Sequence, residues 1–592
     1  MVMKAGAKTT IRLFKRHVVR LITIIAIILV SVGFMAGIGE VEKTMRLAVN
    51  ERYIDSNLSD VYLKSTNPYG FTQEEISQIE QRFGADNTEK SFSYEYEEDG
   101  EVFRVYSYDL QASLINKLEL LEGRFPIAVD EIVAERETEL FPRYDVGEKV
   151  TLQGKTYTVC GIVENPLLSL KKDERSFMFS NAYLRNVFYI QTDNLPMVND
   201  IHTLLKNRDL FDAYNAEYET EIREMKAELE TELGKENVIV LSLYENAGLY
   251  SIVAYAEKVG LIAVAFVVFF LLVTLLVVYS TMSRLFEEER SQIACQKTLG
   301  YGDKQTIARY VFFVAVGILI GGALALPVGY GMLRVIYFAF TSHYSMPAFP
   351  SGIRFGYYLF SFAVIFVFNT LLAFIRGIRN VKGSPALLLT PKAPKSGKKV
   401  LLERIPLLWN RLSFKYKSTL RNVLLFKSRF FMTVVSVIGS TVLVFAGMGL
   451  LDCARLRENA FAISAVAILV LVFSAVLCAL VVYNLTNINV SERKREIATL
   501  MVLGYHDKEV TGYIYREIYI MSLIGALLGV PLGVAFLDIV FGLIDFGTLS
   551  DINWWTYVLT PLLTMSFSFI STRLLRKKIV KTDMNASLKS LE

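Results

Sequence analysis

Side chains that could carry out covalent or proton-transfer chemistry are sparse in this sequence of 592 residues. It holds four histidines and four cysteines, Cys160, Cys295, Cys453 and Cys478. No C-x-x-C, H-E-x-x-H or G-x-S-x-G pattern occurs, so redox, zinc and serine-nucleophile chemistry have no basis in it. Gly154-Lys155-Thr156 supplies the last three residues of a phosphate-cradling loop, but Lys149 stands where the first glycine is required. No catalytic, metal or cofactor residue is therefore assigned, and without a basic-aromatic pattern no nucleic-acid partner is expected. Three of the cysteines fall in or beside apolar stretches, which argues against a disulfide framework, and Cys160 reads as a buried core residue. What does recur is a run of charge followed by Ile-Ala and then Leu-Gly-Tyr. It reads Glu288, Ile293, Ala294, Leu299, Gly300, Tyr301 and Asp303 in one place. In another it reads Glu492, Arg493, Glu496, Ile497, Ala498, Leu503, Gly504, Tyr505 and Asp507. A charged start, an apolar stripe and a terminal glycine describe a short surface helix with a sharp stop, and the chemistry it offers is docking.

The elements that must position these residues are set by composition. Hydrophobic residues make up 53% of the chain and the mean hydropathy is +0.36, a surplus that ordinary soluble domains do not carry. A bilayer core about 30 Å thick needs roughly 20 apolar residues in a helix. Eight such runs are predicted, near 18–39, 258–282, 308–334, 355–376, 430–451, 459–484, 512–543 and 553–573. The last is the weakest, with Trp554, Trp555 and Tyr557 reading as interfacial aromatics. Positive residues crowd before the first run (Lys4, Lys8, Arg12, Lys15, Arg16), between the fourth and fifth, and after the last (Arg573, Arg576, Lys577, Lys578, Lys581). All three clusters fall on the cytoplasmic side if the N-terminus does. The first run also fits a cleaved signal peptide. The same basic-then-apolar pattern at Phe426-Lys427-Ser428-Arg429, where no signal peptidase acts, favours a retained helix.

The sequence repeats itself. Residues 277–333 align without gaps on 481–537 at a constant offset of 204. Val277-Val278-Tyr279 falls on Val481-Val482-Tyr483, Asp303-Lys304 on Asp507-Lys508, Pro327 on Pro531 and Gly329 on Gly533. Chance likeness between apolar helices does not bring Asp-Lys, Pro and separated glycines into one register. Both copies run in the same direction, so this is a parallel four-plus-four repeat about an axis along the membrane normal. The predicted organisation is a basic segment and span over 1–39, an outside α+β domain over 40–250 and three spans with the first surface helix over 251–380. A cytoplasmic basic linker over 381–428 and four spans with the second surface helix over 429–592 complete it. Asp303 and Asp507 are expected to cap the spans that follow.

The second surface helix, Glu492-Arg493-x-x-Glu496-Ile497 with Leu503-Gly504 after it, resembles the E-R-x-x-E-I-G signature of FtsX-like permeases. Arg516-Glu517 fits the same pattern, as does Ser384-Pro385-Ala386-Leu387 after the fourth span, with Val580-Lys581-Thr582-Asp583 and Leu588 a weaker counterpart. The first copy departs from it at Glu289, Gln292 and Phe313, where the family has Arg, Glu and Glu. In residues 40–250, Leu121-Glu122-Gly123-Arg124-Phe125-Pro126, Glu131-Ile132-Val133, Val146-Gly147-Glu148-Lys149-Val150 and Val159-Cys160-Gly161-Ile162-Val163 resemble the ordered string of MacB-type external domains. Hairpins are predicted at 91–106 and 149–163, and helices at Thr72–Phe83 and Asp212–Gly234, the latter packing on its domain, forming a stalk or serving as a partner-binding arm.

That resemblance implies an α-helical polytopic membrane protein with one MacB-like extracytoplasmic domain, in a bacterial cell membrane with both termini cytoplasmic. It implies that the two surface helices couple to a separate cytoplasmic ABC ATPase, in two copies, which brings ATP and Mg; this chain has no ATPase motif and is not expected to be an enzyme. Membrane lipid and an extracytoplasmic protein are further expected partners. The implied activity is export or extraction of an amphiphile. An FtsX-like mechanotransmitter acting on a cell-wall hydrolase, and an antimicrobial-peptide sensing or resistance permease, stay open beside it. Arg334 and Asp538, equivalent under the offset, are candidates for an ion pair between the halves.

Overall fold

A computed structural model describes residues 2–172, 174–179, 182–350, 356–389, 413–425, 427–457 and 461–580. Eight of its helices are long and apolar enough to cross a membrane. They are span 1 (Val18–Gly39), span 2 (Ala247–Glu288), span 3 (Asp303–Thr341), span 4 (Gly356–Val381), span 5 (Lys427–Arg455), span 6 (Phe461–Glu492), span 7 (Asp507–Ile544) and span 8 (Trp554–Val580). The chain is thus an α-helical polytopic membrane protein, and each run predicted from the sequence lies on one of these helices. The folded chain divides into a helical unit, Met1–Glu40 with Val259–Val335 and Arg354–Glu592, and a sheet unit, Val41–Lys258 with Ile336–Ile353.

In the helical unit, glycines let span 1 meet span 3 and span 5 meet span 7 backbone to backbone. A Cβ on Gly37 would stand 2.8 Å from the Gly329 carbonyl oxygen, and one on Gly525 would stand 2.7 Å from Val437 Cβ. Small residues give such close approach where no hydrophobic effect separates helix from lipid. The matched glycines at 321/525 and 329/533 are therefore packing positions. Gly525→Leu should overpack this contact, at a cost of about 1–3 kcal/mol, seen as unfolding at lower denaturant with span 1 unaffected. The two halves meet differently, through rings. Phe34 of span 1, stacked within its own half on Phe270 of span 2 at 4.5 Å, lies 5.6 Å from Phe473 of span 6, while Phe269 of span 2 lies 4.1 Å from Phe536 of span 7. One polar bond also joins the halves, from Asn484 Nδ2 to Thr281 Oγ1 at 3.2 Å.

The sheet unit is α+β. Its ten strands are β1 (Val61–Ser65), β2 (Thr88–Glu98), β3 (Glu101–Tyr108), β4 (Glu119–Gly123), β5 (Glu131–Glu135), β6 (Lys149–Leu152), β7 (Lys155–Glu164), β8 (Leu184–Gln191), β9 (Asp200–Thr203) and β10 (Val238–Ser242). They run in the order β10-β1-β9-β2-β3-β8-β5-β7-β4, with β6 also on β7. Both predicted hairpins form. Asp99-Gly100 joins β2 to β3 and Gln153-Gly154 joins β6 to β7, all four residues at positive φ, the geometry whose twist suits antiparallel strands. Lys155 and Thr156 accordingly pair with Leu152 and Thr151 in a ladder and have no phosphate loop around them. Thr72 caps the helix Gln73–Phe83 through a capping box with Glu75. The acidic helix runs Ala216–Glu232, four residues shorter at its start than predicted, because Asn215 supplies the cap. It packs on its own domain, burying Tyr218, Ile222 and Leu229 and pairing Glu232 with Arg82 at 2.7 Å.

The MacB-like string turns out to be architectural. Gly123, at φ +77, has no room for a Cβ because the Cys160 carbonyl of β7 would lie 2.2 Å away. Arg124 then grips Glu131 through two hydrogen bonds, one of 2.8 Å. This pairing, with backbone donors at Ile127 and Ala128, draws the Glu131 carboxyl down to about 2. Cys160 is buried in the core as expected, its thiol pushed up to about 11 by burial. One boundary differs from the sequence reading. Ile336–Ile353 belongs to the sheet unit, since Ser345 N donates to the Ser169 carbonyl at 2.7 Å and Leu170 bridges to Tyr344.

Candidate coupling site

The charged-to-glycine segments fold as two short helices between long ones, the first connector helix Arg290–Thr298 and the second Lys494–Val502. Each ends identically. Tyr301 N donates to the Gln296 carbonyl at 3.0 Å and Gly300 N to Lys297 at 3.1 Å. Tyr505 N donates to Leu500 and Gly504 N to Met501, both at 3.1 Å. These paired bonds are the Schellman closure, which needs its glycine left-handed, and Gly300 and Gly504 both sit at φ +88. The next span starts at once. Asp303 and Asp507 are its first helical residues; neither is the cap, a place taken by His506 in the second copy, whose backbone N–H donates to Glu509 at 3.1 Å. The Asp303 carboxylate instead pairs with Lys297 at 3.0 Å.

The sequence puts Ile293, Ala294 and Leu299 on one apolar stripe and Ile497, Ala498 and Met501 on the other; the structure splits the first and keeps the second, where Met501 packs against the cluster around Ile497. Ile293, Ala294, Ile497 and Ala498 are buried, at 1% exposure or less, while Leu299 and Leu503 stand 76% and 69% exposed. The physical reason is rotation: Leu299 and Leu503 follow Ile293 and Ile497 by six residues, a step that turns them about 120° away from the buried face at 3.6 residues per turn. Ile497 packs with Val490, Val510, Ile514 and Ile518. The first connector helix packs against the short helix Pro385–Leu389, and Lys297 Nζ donates to the Val381 and Gly383 carbonyls at 2.7 and 2.8 Å. The Ser-Pro-Ala-Leu segment is thereby brought onto the connector, an association that local sequence could not reveal. Its counterpart at 581–588 lies outside the described residues, as do residues 390–412 and 426 of the 381–428 linker.

Charged members of the set are held, not free. Glu288 takes Arg20 at 2.6 Å and Arg284 at 3.2 Å. Arg493, 2% exposed, grips Glu517 of span 7, with one bond of 2.7 Å, and Glu496 is half exposed 3.8 Å from the same guanidinium. Tyr505 is exposed and Tyr301 half-buried. The side chains of Glu492 and Asp507 lie outside the described set. Arg334 and Asp538 are not brought together: both side chains face outward, the guanidinium of Arg334 lies 5.1 Å from the Tyr330 ring, and no ion pair joins the two among the described residues. Sequence reasoning missed His17 and Arg16, which reach Glu289 at 2.8 and 3.4 Å; a partner 272 residues away leaves no local signal. Among the described residues no group of three His, Cys, Asp or Glu side chains is placed to hold a metal ion.

Comparison with known proteins falls on the same segments. No curated protein matches the chain at a significant level. A family model, FtsX-like permease C-terminal, matches residues 264–383 and again residues 468–584. Each match runs from within span 2 or span 6, through a connector helix, to the end of span 4 or span 8, and the two begin 204 residues apart, the offset of the internal repeat. FtsX-like permeases are membrane components that generally partner with ABC ATPases. The twofold match, together with the internal repeat and the eight spans, gives this chain two FtsX-like permease C-terminal domains in one polypeptide.

Proposed function

We propose that this permease seats two copies of a separate ABC ATPase on its two connector helices. Closure of that dimer on ATP and Mg drives the spans and the sheet unit to export or extract an amphiphilic substrate. The observation that carries the reading is the matched pair of exposed apolar tips, Leu299 and Leu503, each at the C-cap inside a Schellman turn on a helix anchored by a buried Ile and Ala. A dimeric ATPase presents the same surface twice and so fits a leucine exposed twice at one register of the repeat. In this reading the connectors and both termini lie on the cytoplasmic side of a bacterial cell membrane, supported by the Lys and Arg clusters beside spans 1 and 8.

The chain carries a natural probe for the test. Cys295, on the first connector, is exposed, whereas Cys160, Cys453 and Cys478 are buried, and Thr499 is its equivalent on the second connector. In oriented vesicles, an impermeant maleimide should label Cys295, and Thr499→Cys in a Cys295→Ser chain, from the cytoplasmic face only. The copurified ATPase should protect both. Labelling of the two positions from opposite faces overturns the reading, as does full labelling of both in a chain that holds its ATPase.

A further inference from the structure

The two connector helices share a backbone but not a fastening. In the second copy, Arg493 at the head of the helix is paired with Glu517 of span 7, both side chains 3% exposed. Under the offset of 204, Glu289 stands for Arg493 and Phe313 for Glu517. The first copy has therefore lost the span carboxylate and reversed the sign at the helix head. Left there, Glu289 would be a buried anion without a cation, since it is 1% exposed and such a group is strongly disfavoured. The N-terminal segment supplies what is missing. Its helix Val2–Arg16 ends beside the connector. Arg16 Nη1 lies 3.4 Å from Glu289 Oε1, and His17 Nε2 lies 2.8 Å from the same oxygen. The neighbouring Arg20 takes Glu288 at 2.6 Å. Phe14 covers the substituted site, its ring 5.0 Å from that of Phe313, which is fully buried.

We infer that Phe14, Arg16 and His17 form a charge-inverted latch that positions the first connector helix. The permease thus holds its two ATPase-docking helices by different means, the first from the N-terminal segment and the second from span 7. The inference rests on the docking role proposed above, but its geometry does not. These are positioning residues, acting on the ATPase through the helix they hold. The separation of the two fastenings allows one half to be loosened while the other stays fixed, and anything that engages the N-terminal segment bears on the first docking helix alone.

Amide hydrogen exchange of the full chain in nanodiscs, read over 290–298 and 494–502, tests this without an ATPase present. Arg16→Ala with His17→Ala should speed exchange in 290–298 at least tenfold and leave 494–502 within twofold, while Glu517→Gln should do the converse. Transplanting the second fastening into the first copy, Glu289→Arg with Phe313→Glu, should return protection to 290–298 in the Arg16→Ala, His17→Ala chain. Both helices loosening together, an unchanged 290–298, or failure of the transplant overturns the latch. Selective loosening with no change in stimulated ATP hydrolysis would uphold the latch and count against the docking role.

Discussion

Replacing both Leu299 and Leu503 by Asp should reduce ATP hydrolysis stimulated by the permease at least tenfold, with membrane insertion and helix content unchanged. At 76% and 69% exposed, neither leucine contributes packing to its own chain, so an exposed polar replacement costs the fold within about 0.5 kcal/mol. If a partner buries them, each forfeits about 2 kcal/mol of apolar burial, and the introduced carboxylate adds a desolvation cost on top. Two sites at even half that loss exceed a factor of ten in docking, since about 1.4 kcal/mol corresponds to tenfold. The control is built into the repeat: Ile293→Asp or Ile497→Asp strikes a buried residue at the same helix and should unfold it instead. The measurement is ATPase rate against permease concentration with circular dichroism alongside. A double leucine variant that stimulates as well as the parent chain would remove these residues from the interface.

A second large effect is expected from Glu135, at the end of β5. Its carboxylate is 2% exposed and accepts from Asn165 N at 3.1 Å and from the Tyr189 hydroxyl at 2.9 Å. Glu164 beside it is held by Arg52 and Arg136, each at 3.2 Å. Burial is the largest influence on Glu135 and pushes its carboxyl from an ordinary 4.5 up to about 8, with Asn165 and Tyr189 pulling the other way. A raised carboxyl favours the protonated form in the folded state. Its contribution is therefore complete below the ordinary value and is lost as pH rises through about 8. By linkage a shift of this size is on the order of 4–5 kcal/mol. Glu89, raised by burial to about 7, acts in the same sense. Glu135→Gln, neutral at every pH, should match the parent chain near pH 5 and exceed it in stability near pH 9. Thermal unfolding of the whole chain across that range, followed by hydrogen exchange in β5 and β7, gives the comparison. A difference that does not grow with pH would mean that Glu135 is ionised in the fold.

The parts of this structure legible in the sequence were those with a local or a repeated signature. Span length and apolar content mark the eight helices, Asp99-Gly100 and Gln153-Gly154 mark their hairpins, and the register of Gly300 with Gly504 marks the two connector turns. Domain limits were legible only where the chain itself changes character. The seating of Ile336–Ile353 in the sheet unit depends on bonds such as Ser345 N to the Ser169 carbonyl, which leave no periodicity behind. The stripe through Ile293, Ala294 and Leu299 misled because a six-residue step falls about 120° off a helical face, so Leu299, just past the helix end at Thr298, stands away from Ile293. The partners of Glu289 were invisible for a simpler reason: the departure from the family pattern showed which charge was missing, but not that Arg16 and His17 would meet it.

The contrast between glycine contacts inside a half and ring contacts across the halves has a mechanical consequence. Where span 1 meets span 3, and span 5 meets span 7, backbones interlock like a keyed joint, and one helix cannot travel along the other without first lifting away. Ring contacts such as Phe34 with Phe473, and the Phe269–Phe536 pair, behave more like a bearing, since aromatic geometries of similar energy lie close together. A load entering from either end is therefore taken up as slip along the bearing before any keyed joint yields.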